Sequence, residues 1–177
     1  MKKKIFNHFL YFGAAGISTL ALCFFSLPYL NVVIRYENEI YSKMSINGYE
    51  LMNLCGFGFF GVMTSLIQIF ILTLTLMILI LGLCGVLKTI GILKDFPNKL
   101  GKYDTDKVLY SSIIMYFGLT CLLLICLIVL AVTSRTDFVS YSYRLRLNIG
   151  IFMMLIQVIG GIIAINILPE KILSESK

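Results

Sequence analysis

Along the chain, polarity falls into four long stretches without a charged residue, at 5–34, 51–87, 108–134 and 147–169, and all the charge lies in the short segments around them. The stretches run for 30, 37, 27 and 23 residues. A helix rising about 1.5 Å per residue needs roughly 20 residues to cross about 30 Å of hydrocarbon, so each stretch is long enough to span a bilayer. The pattern predicts an all-α integral membrane protein: a single domain, 1–177, with four transmembrane helices in a bundle. The spans are expected over about 8–30, 58–86, 108–133 and 147–168, with outer loops 31–57 and 134–146 and an inner loop 87–107. The second stretch would reach about 55 Å as one straight helix. A tilted helix protruding on the outer side, with a bend at Gly56, Gly58 or Gly61, is expected to absorb the excess.

Composition points the same way. Of 177 residues, 59% are hydrophobic and 14% charged, with a mean hydropathy of +0.92, which excludes an ordinary soluble domain, a disordered chain and a disulfide scaffold. Charge then orients the spans. Ten lysines lie on the side of the termini (Lys2, Lys3, Lys4, Lys171 and Lys177, with Lys88, Lys94, Lys99, Lys102 and Lys107 from the inner loop), against five basic residues in the outer loops, Arg35, Lys43, Arg135, Arg144 and Arg146. The positive-inside rule puts both termini in the cytoplasm, and the expected location is the plasma membrane. The net charge of +6 needs no nucleic acid to explain it, because lysines beside an anionic leaflet are stabilised there.

The first stretch has the basic start of a signal peptide, but no A-x-A-like site follows and its apolar part is too long, so it is read as a retained span. Leu20-Ala21-Leu22-Cys23 approaches a lipobox and departs from it at Leu22. Cys23, Cys84, Cys121 and Cys126 lie in apolar runs, where cysteine behaves as a small hydrophobe. Cys55 lies near the outer boundary, with Cys23 as its topologically accessible disulfide partner. There is no CxxC and a single histidine, His8, so neither metal nor cofactor is expected.

The outer loops carry patterns of their own. In 35–50, the dipeptide Asn47-Gly48 suits a two-residue hairpin turn. In the third loop Val139, Tyr141, Tyr143, Leu145 and Leu147 alternate with Ser140, Ser142, Arg144, Arg146 and Asn148, the period of a half-buried strand. A small extracytoplasmic hairpin or sheet from loops 1 and 3 is one reading; an aromatic belt of tyrosines at the headgroup level is the other. In the inner loop Pro97 and Gly101 break any helix, and Asp104, Thr105 and Asp106 offer capping oxygens for span three.

Gly56 to Gly61 reads GFGFFG, the dinucleotide fingerprint letter for letter, but the next acidic residue is Asp95 and no strand–helix context surrounds it. Helix packing is the better account. The span cores hold no Asp, Glu, Lys or Arg, so no proton relay or catalytic base is visible and no enzyme is expected. The polar exceptions are Gln68 and Gln157, each expected to face protein in an interhelical hydrogen bond, with a polar pathway or a partner helix as the sharper alternative. Gly160 and Ala164, four apart, are expected to let helices approach closely.

Four spans with strands in the outer loops are similar to the topology of claudin-type proteins. The first-loop signature of that family, a tryptophan with paired cysteines, is absent here, so the likeness implies topology alone. The expected function is that of a non-enzymatic multi-pass membrane protein acting by protein–protein contact, as an accessory subunit, scaffold or protective protein. The alternative is a small transporter or pore subunit working as a homo-oligomer. Its expected partners are the lipid bilayer and a membrane protein or a second copy of itself.

Overall fold

The computed structural model describes residues 2–36, 39–93, 99–100, 103–133, 136–137 and 141–167. Four α-helices dominate: α1 (Lys2–Phe25), α2 (Gly58–Thr89), α3 (Thr105–Thr133) and α4 (Ile149–Ile167). Among these, α2 and α3 are long and apolar enough to cross a membrane. Large apolar side chains lie exposed along them, including Leu66, Phe70 and Ile80 on α2 and Ile125, Ile128 and Val132 on α3.

Helix α1 stops at Phe25, short of the expected 30. Pro28 explains this, since it has no N–H to donate and turns the residue before it away from helical geometry. The β-branched run Val32-Val33-Ile34 then continues as strand β1 (Pro28–Tyr36), so the tail of the first uncharged stretch is sheet and not span. The second stretch is also divided. Glu50–Phe57 forms a 3-10 helix, and Gly58, at φ 73°, breaks it from α2, so a change of element and not one protruding helix absorbs the surplus length.

Strand β2 (Glu39–Asn47) follows β1, and the connection between them spans 37–38, outside the described residues. Asn47-Gly48 is therefore not the hairpin turn. Asn47 ends β2, its Oδ1 accepting from the Glu50 amide at 3.0 Å while Glu50 Oε2 accepts from the Asn47 amide at 2.9 Å, a reciprocal pair that starts the 3-10 helix. A two-residue ladder, β3 (Lys99–Leu100) with β4 (Tyr103–Asp104), precedes α3. Beyond α3 come β5 (Thr136–Asp137) and β6 (Tyr141–Leu147). The antiparallel sheet has the order β2-β1-β6-β5, so residues of the first and third connections pair directly, as at Leu30 and Leu147.

The chain divides into two compact units. One comprises Met1–Cys23 and Phe70–Tyr116. In it α1 meets α2 at glycines: a Cβ on Gly82 would lie 2.8 Å from the Ala15 backbone nitrogen, and one on Gly85 would enter the Tyr11 ring. The Tyr11 hydroxyl donates to Asp106 Oδ1 at the start of α3.

The other unit comprises Phe24–Ile69 and Phe117–Lys177, and contains the four-stranded sheet. A register shift between Pro28 and Leu30 marks a bulge at Tyr29. The Tyr29 ring fits between two glycines, within 2.9 Å of a Cβ placed on Gly48 and 2.6 Å of one on Gly150. Leu30, Leu51, Leu54 and Leu145 are buried in the same unit.

Candidate functional site

The sheet gathers the polar chemistry of the first and third connections, and its register sorts that chemistry by face. Successive side chains of a strand point to opposite faces, while residues paired across a ladder share one. Val33 pairs with Lys43 on one side and Arg144 on the other; Asn31 pairs with Ser45 and Arg146; Arg35 pairs with Ile40 and Ser142. One face thus carries Arg35, Lys43, Arg144 and Arg146 around a central Val33 that is only 4% exposed. The opposite face carries Leu30, Val32, Ile34, Met44, Ile46 and Leu145.

The four cations have no ion pair or side-chain hydrogen bond among the residues whose side chains are described. The Nε atoms of Arg35 and Arg144 are buried without an acceptor. An unfilled buried donor of this kind costs roughly 1–3 kcal/mol, and clustered like charges add repulsion. Beside the cations, Asn31 Oδ1 is a double acceptor, from Ser45 Oγ at 2.9 Å and from Asn148 Nδ2 at 3.0 Å. The Asn148 amide donates to the Tyr29 carbonyl, also at 2.9 Å, and Asn148 Oδ1 accepts from the Ile149 amide at 2.7 Å, so one residue ties β1 to the first turn of α4. Strand β2 borders the sheet with Ile40, Tyr41 and Met44 at 62%, 77% and 68% exposure.

Of the residues singled out from the sequence, Gln68 is 1% exposed, and its Nε2 donates to the Gly48 carbonyl at 2.9 Å. Its partner is backbone at the end of β2 and not another helix. Gln157 lies half-buried on α4 with a partner of its own. Gly160 faces open space, and the close approach falls one residue on, at Gly161, where a Cβ would enter the Phe117 ring. Ala164 is in α4, with its side chain outside the described residues. The convergence of three arginines on one sheet face is not foreseen from the sequence, because it follows from the β1–β6 register between residues more than a hundred positions apart.

Elsewhere, hydroxyls inside the helices turn back on their own backbone: Ser18 to Ala14, Thr64 to Phe60 and Thr75 to Ile71, each at 2.7 Å, and Ser65 to Gly61 at 2.9 Å. A crevice between Ile17, Ser18, Thr75 and Tyr116 is too narrow to admit water. All five cysteines are free thiols, Cys23 and Cys55 included. No group of three metal-ligating side chains occurs among the described residues. No protein-family model, curated protein or solved structure matches the chain.

Proposed function

We propose that this is a four-span plasma-membrane protein with both termini in the cytoplasm, acting without catalysis through contacts made by its extracytoplasmic sheet. The four-span part is supported by length and by surface. At about 1.5 Å per residue, α1 and α4 reach roughly 36 and 28 Å, beside the longer α2 and α3. Exposed Phe152, Ile156, Ile159 and Ile162 give α4 an apolar surface of the same kind as that on α2 and α3, which hydrocarbon stabilises and water does not. Ten lysines against five basic residues favour the stated orientation.

The observation that carries the contact role is the border strand β2. Ile40, Tyr41 and Met44 stand exposed on a sheet whose other strands hold it in place, the chemistry of a partner-binding anchor. Lys43 on the same strand and the bulge beside Arg35 discourage indiscriminate strand pairing. Extraction in mild detergent from the native membrane tests this. A stoichiometric complex with a different membrane protein, lost in the Tyr41→Glu/Met44→Glu variant, is the expected result; a ring of identical chains indifferent to that variant overturns it in favour of a pore subunit.

A further inference from the structure

We infer that the cationic face of the sheet binds the phosphate of anionic lipid headgroups, an inference that rests on the reading of the sheet as lying at the outer membrane surface. Lysine outnumbers arginine 11 to 4 in this chain, yet three of the four arginines converge on this face with a single lysine. Arginine is the residue whose planar fork grips two oxygens of one phosphate, and lysine is not its equivalent there.

The spacing fits a headgroup. Strands lie about 4.8 Å apart, so Lys43 and Arg144, on either side of Val33, lie about 10 Å from each other, and Arg146 lies about 7 Å along β6 from Arg144. Among the residues whose side chains are described, no ion pair neutralises these charges, and Arg35 and Arg144 each keep a buried Nε without an acceptor. Side-on pairing, in which Nε and one Nη hold two phosphate oxygens, fills those donors once the guanidinium swings outward.

Position selects lipid over a soluble partner. Only Asn148 separates Leu147 of β6 from the first residue of α4, and the row Ser45–Asn31–Arg146 lies at that end of the sheet. If α4 enters the bilayer, Arg146 stands at headgroup depth. The face itself is poor in the apolar anchors that centre a protein interface: its exposed neighbours of the cations are Ser45 and, at one corner, Ile40.

The test uses the full-length protein in detergent, with lipid retention read by native mass spectrometry and by lipid-dependent rise in melting temperature. Wild type is expected to retain phosphatidylglycerol about tenfold better than phosphatidylcholine, a difference carried by charge-assisted bonds. Arg144→Gln/Arg146→Gln should abolish that preference, Arg144→Lys/Arg146→Lys should keep part of it, and Lys107→Gln, on the other side in the proposed topology, should keep all of it. Should the Gln pair fail to fold, the Lys pair and Arg35→Gln carry the same comparison. Equal retention of the two lipids, or a preference that survives the Gln pair, overturns the inference. So does displacement of phosphatidylglycerol by millimolar pyrophosphate or by polyglutamate, which would make the occupant a soluble anion or an acidic polypeptide. An outward-labelled sheet with unchanged lipid preference in the Gln pair defeats this inference alone, whereas a sheet unreachable from outside intact cells defeats the topology beneath it.

Discussion

Gln68 Nε2 donates to the carbonyl oxygen of Gly48, twenty residues earlier, at 2.9 Å, and so fastens the first part of α2 to the end of β2. Gly48 must stay bare for this arrangement, because a Cβ there would lie 2.8 Å from the Phe25 Cα. Gln68→Leu removes the donor and leaves a buried carbonyl without that bond, with an expected loss of about 1–3 kcal/mol. Thermal unfolding in detergent checks it, and Gln68→Glu, whose ionised carboxylate has no proton to donate, should be at least as damaging.

Glycines that look alike in sequence separate by environment. Gly82 backs onto the Ala15 nitrogen, whereas a Cβ on Gly13 meets nothing within 4 Å. Gly82→Ala is expected to cost about 1–3 kcal/mol by overpacking. Gly13→Ala should be neutral or gain up to about 1 kcal/mol, since alanine is the better helix former. Paired melting curves give the comparison directly.

The same contrast applies within one dipeptide of α4. Gly161→Ala drives a methyl into the Phe117 ring and should destabilise by about 1–3 kcal/mol, while Gly160→Ala, facing open space, should not. Phe117→Ala combined with Gly161→Ala should then show a cost well below the sum of the two single changes, the signature of a shared contact in a double-mutant cycle.

Asn31 joins Ser45 on β2 to Asn148 at the start of α4 through one oxygen. Asn31→Ala frees both donors, and an expected loss of about 1–3 kcal/mol should concentrate in the sheet. Hydrogen exchange reads this locally: amides of β1 and β6 should exchange faster, while those of α2 from Phe70 onward should change little.

How much of this was legible follows from what each pattern physically encodes. The uncharged stretches mark helices α1 to α4 because a long run without charge leaves a strong trace, and the alternation Leu145–Arg146–Leu147 marks β6 because period two is a strand property. Strand β1 was hidden, since Pro28 to Ile34 is as apolar as a span and hydropathy does not distinguish strand from helix. Asn47-Gly48 misled because its residues suit both a hairpin turn and a helix start, and only the Glu50 partner decides between them. Gln68 was recognisable as a buried amide, but its acceptor is a backbone carbonyl, which no side-chain pattern records. The clustering of Arg35, Arg144 and Arg146 depends on pairing residues more than a hundred positions apart, beyond the reach of any local period.

The central claim is that the chain crosses the membrane four times and presents its sheet outside, and site-directed labelling tests it most directly. In a cysteine-free background, a cysteine replacing the exposed Ser45 is treated with a membrane-impermeant maleimide on intact cells, with reporters fused at each terminus. The account requires labelling at position 45 before lysis and both reporters in the cytoplasm; a site that labels only after lysis, or termini on opposite sides, contradicts it.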